Sequence, residues 1–168
     1  MRSYLPSNVP FRIIVQVYKM IVSSTIIHEG ESMSILSSTS WKALHSPSLM
    51  LVTRYLSGFN KGTSQPLGIF PKLPITLGRK TIHLNVMVVP GLLDYNIILG
   101  RDYVYNMEAI VSTLFRVMCF PHEGKIVTVD QLSFPSSSTT PSKTSFLIDP
   151  FASRMSLQPS FHPPDFRE

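Results

Sequence analysis

The chain has 168 residues, of which 43% are hydrophobic and 15% are charged, and its formal net charge is +5. This composition excludes a wholly disordered chain and predicts one folded domain with tails. The basic residues are scattered singly, with no aromatic-interleaved patch, so the charge does not indicate a nucleic-acid partner. The single cysteine, Cys119, excludes an intrachain disulfide and a multi-cysteine zinc site, and it is typical of a reducing compartment.

The N-terminal segment lacks the pattern of a targeting sequence. Pro6 and Pro10 interrupt residues 1–10, which we interpret as a lead-in, and the apolar run that follows contains Arg12 and Lys19. We therefore predict neither a signal peptide nor a membrane-spanning helix. The expectation is a protein without a membrane partner and with a cytoplasmic location.

Short apolar runs separated by turn residues follow the lead-in. The elements predicted from the first runs are a strand at 11–18, a strand at 23–27, a helix at 37–44 and a strand at 49–56. β-branched residues favour the strands, and the helix is predicted because serine and threonine precede Trp41 and Leu44, an apolar pair at helical spacing. Residues 56–68 are polar and contain glycine, which predicts a long hairpin with a mobile tip.

The second half of the domain continues the pattern of short strands. Its predicted elements are strands at 73–77, 81–89 and 96–100, a helix at 101–107, and closing strands at 114–119 and 125–129. Ile82, Leu84, Val86 and Val88 alternate with other residues, so one face of their strand should be buried. Short, evenly spaced strands predict an all-β closed barrel or sandwich over residues 11–133. Residues 134–168 are rich in proline and serine and predict a disordered tail that adds no packed element.

Two segments together resemble the signature strands of a retropepsin. They are Ile26-Ile27-His28-Glu29-Gly30-Glu31-Ser32-Met33-Ser34-Ile35-Leu36 and Tyr95-Asn96-Ile97-Ile98-Leu99-Gly100-Arg101-Asp102-Tyr103-Val104. The similarity extends over residues 25–132. The amino-acid sequence of residues 114–132 is especially similar to gypsy-type long-terminal-repeat retrotransposon polyproteins. The chain thus looks like the aspartic-protease region, and a fragment, of such a polyprotein.

The resemblance implies a fold, a reaction and a set of site residues. The implied fold is a retropepsin-like closed barrel with one or two short helices, and the implied reaction is peptide-bond hydrolysis by two Asp-Thr/Ser-Gly loops, one from each subunit of a homodimer. The implied structural motif behind the loop is formed by Ile98, Leu99, Gly100 and Arg101. The implied flap, which would hold an extended peptide substrate, contains Gly58, Phe59 and Asn60.

The loop departs from the family pattern at three of its positions. Alignment on Gly30 and Ser32 puts His28 in place of the aspartate, Glu29 in place of the threonine or serine, and Glu31 in place of the alanine. Two imidazoles cannot reproduce a carboxylate pair that shares a proton, so we predict no aspartic-protease activity. Two glutamates at position 29 would repel at a dimer axis, which weakens the implied homodimer.

Other chemistries compete at the same residues. A metal site built from His28, Glu29 and Glu31 is disfavoured because three neighbouring residues on a turn point in different directions. Cys119 is interpreted as a core residue rather than a nucleophile, and Ser32 and Ser34 are interpreted as turn and barrel residues. No phosphate-binding loop is present, and no cofactor is predicted.

Three functional hypotheses stay open from the sequence. The first is a catalytically silent protease domain left by a retrotransposon. The second is a non-catalytic module on the same fold that binds extended peptides. The third is a recent change of the loop in a lineage whose other members are active enzymes.

Overall fold

The computed structural model of the chain describes residues 4–51, 65–90, 94–133 and 146–147. Ten strands, two α-helices and one 3₁₀ turn occupy this part of the chain. The strands are β1 Phe11–Val17, β2 Met20–Ile27, β3 Ile35–Ser37, β4 Gly68–Leu77, β5 Lys80–Val89, β6 Ile97–Leu99, β7 Ile110–Ser112, β8 Val117–His122, β9 Lys125–Asp130 and β10 Phe146–Leu147. The helices are α1 Ser38–Ala43 and α2 Arg101–Met107, and the 3₁₀ turn is Gln131–Ser133.

Six strands form a closed barrel, which confirms the predicted fold class. Their order is β1-β4-β5-β3-β6-β2, and pairing of β1 with β2 closes the ring. The β2–β6 and β3–β5 pairs are parallel, whereas the other pairs of the ring are antiparallel. Closure leaves no free edge around the ring, because each of the six strands has a neighbour on both sides.

The barrel interior is filled by the alternating apolar residues of its strands. Ile82, Leu84, Val86 and Val88 of β5 are all buried, as the alternation predicted, while Thr81, His83 and Asn85 between them are exposed. Phe11, Ile13, Val15 and Val17 fill the same core from β1. Ile97 and Leu99 of β6 are completely buried, so this strand lies inside the domain.

The two helices lie where the sequence predicted them. Ser37 caps α1, because its side chain accepts a hydrogen bond from the Ser40 backbone amide. Helix α2 ends at Met107, and the C-cap residue Glu108 that follows has a left-handed backbone conformation with φ 55°. The Nζ group of Lys80 donates to the Met107 carbonyl (2.8 Å) and to the Pro121 carbonyl (3.1 Å). This lysine therefore joins the barrel to α2 and to the second sheet.

Strands β7, β8 and β9 form that second sheet, of three antiparallel strands. The predicted strand at 114–119 starts later than expected, at Val117, because residues 113–116 form a turn in which Arg116 has φ 57°. The Arg116 side chain is buried, and its Nη2 donates to the Pro6 carbonyl at 3.0 Å. Strand β7, of only three residues, was not predicted from the sequence.

The remaining differences concern the segments around the long loop and the tail. Of the strand predicted at 49–56, residues 49–51 are described, and Met50 makes an isolated bridge with Ile69. Within the segment predicted as a disordered tail, two residues form β10, which pairs antiparallel with Ile21 and Val22 of β2. β2 has room for this partner because β6 pairs with residues 25–27 and leaves the other end open. In the described part of the chain, no helix is long and apolar enough to cross a membrane.

Candidate active-site loop

Residues 28–34 form the loop that connects β2 to β3. Ile26 and Ile27 at the end of β2 pair in parallel with Ile98 and Leu99 of β6. The His28 amide then donates to the Leu99 carbonyl at 2.9 Å, which extends this pairing by one residue. The apolar strand therefore lies directly beside the start of the loop, as the resemblance implied, while the His28 side chain is exposed.

Gly30 allows the loop to fold back on the imidazole of His28. The Gly30 amide donates to His28 Nδ1 at 3.1 Å, and the Glu31 amide donates to the His28 carbonyl at 3.0 Å. A Cβ atom on Gly30 would lie 2.6 Å from Cε1 of the imidazole, closer than real contacts allow. A larger residue at position 30 would therefore require the exposed imidazole to rotate away, while the backbone itself does not demand glycine, since Gly30 is not among the residues with positive φ.

The far end of the loop is fixed by a carboxylate from α2. The Ser34 amide donates to Asp102 Oδ2 at 2.9 Å, and the Ser34 hydroxyl donates to Asp102 Oδ1 at 2.6 Å. The same hydroxyl accepts a hydrogen bond from the Gly100 amide at 3.0 Å. Asp102 Oδ1 also accepts from the Tyr103 amide at 2.8 Å. Ser34 is fully buried, so these bonds satisfy groups that water does not reach.

Gly100 and Arg101 hold the middle of the loop through their backbone. The Arg101 amide donates to the Glu31 carbonyl at 2.8 Å, and a Cβ atom on Gly100 would lie 2.7 Å from that same carbonyl oxygen. Only glycine at position 100 leaves room for this approach. The Arg101 side chain is exposed, so its contribution to the loop comes from its amide group.

A buried amide that the sequence reasoning missed supports the same region. The Asn96 Nδ2 group donates to the Ser23 carbonyl at 2.8 Å, and the Asn96 amide donates to the Ser24 carbonyl at 2.9 Å. Its Oδ1 accepts from the Ser40 hydroxyl at 3.4 Å, and its backbone carbonyl accepts from the Ser37 amide at 3.1 Å. Asn96 thus joins β2, β6 and α1 behind the loop.

The acidic residues of the loop differ in exposure. Glu29 is exposed and Glu31 is half-buried, so neither carboxylate is buried in the single chain. Among the residues that the structure describes, no three histidine, cysteine, aspartate or glutamate side chains converge as metal ligands would. Ser32 is exposed on the loop, whereas Ser34 is engaged by Asp102, so their interpretation as turn and barrel residues agrees with their contacts.

Two other predicted sites have different outcomes. Gly58, Phe59 and Asn60, the implied flap, lie outside the described residues. The interpretation of Cys119 as a core residue is not supported. Cys119 lies half-buried on the face of β8 opposite the buried residues Met118 and Phe120. Its Sγ lies 3.5 Å from the Thr128 hydroxyl, and no histidine contact accompanies it in the described part of the chain.

Leu67 lies two strands away from β3, the strand that follows the loop. The Leu67 amide donates to the Val88 carbonyl of β5, and Val88 pairs on its other side with Leu36 of β3, just after the loop. Two strand spacings, about 10 Å, therefore separate Leu67 from Leu36. Met50, Leu51 and Leu67 flank residues 52–64 and expose 45%, 89% and 47% of their surface. Exposed apolar residues thus flank residues 52–64 in sequence on both sides.

Comparison with known proteins identifies the fold but not a sequence family. No protein-family profile matches the chain, and no curated protein matches it. Among solved structures, the retroviral protease-like domain of Ddi1 from Leishmania major is similar with a TM-score of 0.56 and 11% identity, covering 75% of this chain and 98% of that one. EIAV protease, complexed with the inhibitor HBY-793, is similar with a TM-score of 0.51 and 18% identity, covering 62% and 94%.

A retropepsin-like aspartic protease from Rickettsia conorii has a TM-score of 0.48 and 16% identity, covering 67% of this chain and 91% of that one. The first two similarities, together with the barrel topology, show that this chain has the retropepsin-like fold.

Proposed function

We propose that the chain is a retropepsin-like domain from a gypsy-type retrotransposon polyprotein and that it does not hydrolyse peptide bonds. The observation that carries the proposal is the identity and engagement of His28. This residue begins the loop beside Leu99, at the position that the resemblance assigns to the catalytic aspartate, and its Nδ1 already accepts a hydrogen bond from Gly30.

The missing carboxylate removes the basis of the family reaction. Aspartic proteases need two carboxyl groups that share one proton, so that one activates water while the other polarises the scissile carbonyl. An imidazole at position 28 offers one acceptor nitrogen when neutral, and here that nitrogen is occupied. Glu29 is the nearest alternative carboxylate in sequence, but it is exposed and makes no contact that would position it within the described residues.

We further propose that the fold retains the capacity to bind extended peptides. Support comes from the exposed apolar residues Met50, Leu51 and Leu67, of which Leu67 lies two strands from β3, the strand that follows the loop. EIAV protease, which shares the fold, binds an inhibitor. An extended peptide would contribute backbone hydrogen bonds to strand edges and apolar side chains to this surface.

Peptide binding on this fold is coupled to self-association in our proposal. The resemblance places the cleft between two copies of the chain, and the exposed Glu29 carboxylates would oppose each other there. We expect a weak homodimer that Glu29→Ser strengthens. Light scattering over a series of protein concentrations measures this, and His83→Ser, a change on the exposed face of β5, is the control. A cytoplasmic location stays a prediction from the single cysteine.

A peptidase assay tests the catalytic part of the proposal. The wild-type chain should show no pepstatin-sensitive cleavage of unstructured peptides between about pH 4 and pH 6.5, where a shared-proton carboxylate pair works. The triple variant His28→Asp, Glu29→Ser, Glu31→Ala should gain such cleavage, because it restores the carboxylate and removes the repulsion at the axis. His28→Asp alone should gain less.

The control for this assay is His83→Asp, which makes the same chemical change on an exposed part of β5. It should remain inactive. Pepstatin-sensitive cleavage by the wild-type chain would refute the proposal and would direct attention to Glu29 as the catalytic carboxylate.

A further inference from the structure

The hydrogen bond between Gly30 and His28 defines where the imidazole carries its proton. The Gly30 amide donates to Nδ1 at 3.1 Å, and a nitrogen that accepts a hydrogen bond must keep its lone pair. A neutral imidazole with a bare Nδ1 carries its proton on Nε2. In this structure His28 therefore presents an N–H donor at Nε2, whereas a family aspartate presents carboxylate oxygens.

The loop also fixes the direction of this donor. The His28 backbone is held on both sides, because its amide donates to Leu99 and its carbonyl accepts from Glu31. The imidazole is held beside Gly30 by the hydrogen bond from the Gly30 amide to Nδ1. The side chain is exposed, and no described residue accepts a hydrogen bond from Nε2. An oriented donor without an acceptor is the result.

We propose that His28 Nε2–H is the hydrogen-bond donor that anchors a backbone carbonyl of a bound extended peptide. This inference rests on the peptide binding proposed above and adds the group that makes the contact. It also assigns a positive role to the residue that removes catalysis, since a donor can hold a peptide carbonyl without activating water to attack it.

The charges around the loop favour a neutral acceptor over an anionic one. Glu29 and Glu31 lie on the loop with His28, Asp102 contacts the far end of the loop, and Arg101 is the cation whose amide contacts it. Three carboxylates against one guanidinium leave a net negative surrounding, which repels a ligand carboxylate. A peptide carbonyl carries no charge, so it avoids this repulsion and still accepts from Nε2.

Substitution of His28 by glutamine or by asparagine tests the two ring nitrogens one at a time. Glutamine places its NH₂ group near the position of Nε2, and asparagine places it near Nδ1, so His28→Gln preserves the proposed donor and His28→Asn does not. His28→Leu removes both nitrogens at a similar volume. The probe is a set of N-acetylated, C-amidated peptides with apolar side chains, titrated calorimetrically into the full chain.

We expect His28→Asn and His28→Leu to weaken peptide binding by about tenfold, the effect of one lost hydrogen bond, and His28→Gln to stay within about threefold of the wild type. Equal binding by all four proteins would overturn the role of His28 while leaving peptide binding intact. Binding by none of them, the wild type included, would overturn peptide binding itself and with it the carbonyl ligand.

A second measurement examines the donor without a peptide. Long-range ¹H–¹⁵N correlation spectra of the histidine-labelled chain show which ring nitrogen carries the proton when the imidazole is neutral. His28→Gln identifies the resonances of this residue among the five histidines. The expected result is the Nε2–H form for His28, and the Nδ1–H form would overturn the inference whatever the titrations show.

Discussion

The hydrogen bonds between Asp102 and Ser34 should determine the stability of the loop that carries His28. The Asp102 carboxylate accepts from the Ser34 amide, the Ser34 hydroxyl and the Tyr103 amide. Replacing Asp102 with alanine leaves all three donors without this acceptor. Two of them belong to Ser34, which is fully buried, so water cannot replace the lost acceptor without local opening.

The magnitude follows from the individual bonds. A hydrogen bond to a charged group contributes about 1.5–3 kcal/mol, and bonds within one network are not additive. The Tyr103 amide loses little, because it also lies 3.1 Å from the Gly100 carbonyl. We therefore expect Asp102→Ala to lower the free energy of unfolding by about 2–4 kcal/mol, mainly through Ser34.

Asp102→Asn keeps the shape of the side chain but removes one hydrogen-bond acceptor, so it tests the acceptor role of the carboxylate by itself. One carboxylate oxygen becomes an NH₂ group that faces a donor whichever way the amide is turned, so about 1–3 kcal/mol should be lost. Urea unfolding monitored by circular dichroism measures both variants. Asp94→Asn, the same change at an exposed position before β6, is the matched control and should stay within about 0.5 kcal/mol.

Hydrogen exchange gives an independent readout, because the amide of Ser34 should lose protection in Asp102→Ala while the barrel core keeps it. An Asp102→Ala protein as stable as the Asp94→Asn control would refute the reasoning. It would show that the β2–β3 loop is held by its contacts with β6 and not by α2.

Two further predictions concern α2 and its neighbours. Lys80→Met should lower stability by about 1–3 kcal/mol, measured by urea unfolding, because the carbonyls of Met107 and Pro121 lose a shared donor while the alkyl packing is kept. Tyr103→Phe should not destabilise the protein, because the buried Tyr103 hydroxyl has no hydrogen-bond partner among the residues that the structure describes. Burial raises the pKa of Tyr103 above its ordinary value, so the wild type should lose stability as pH rises above about 10, where the unfolded chain ionises. The Tyr103→Phe variant should lose less stability over that pH range. Tyr105→Phe, at an exposed position, should behave like the wild type. Equal pH dependence of stability in all three proteins would contradict this reasoning.

The sequence predicted the elements whose signal is local. Alternation in β5 and cap residues before α1 are properties of adjacent residues, and the structure confirms both. Strands β3 and β7 have three residues each, too short for a periodic pattern to emerge. Strand β10 exists because one end of β2 has an open side, and that vacancy depends on the length of β6, a feature of the assembled sheet.

The sequence pointed to the candidate loop but not to the contacts that support it. His28, Gly30 and the Gly100 turn were found by resemblance, and the structure brings them together at the end of β2. Asp102 and Ser34 are 68 positions apart, and Asn96 and Ser23 are 73 apart. Such pairings of polar side chains with distant backbone carry no local signal, because any exposed aspartate or asparagine would look the same in the sequence.

The barrel does not depend on the side chain at position 28, because the fold uses the backbone of this residue. The fold uses the His28 amide and carbonyl, which bond to Leu99 and Glu31 whatever side chain is present. The side chain is exposed and adds one contact, to Gly30, within its own loop. The groups that fix the loop are Asp102 and the glycine at position 100. A substitution at position 28 should therefore change the free energy of unfolding little, so the retropepsin-like fold does not require an aspartate there.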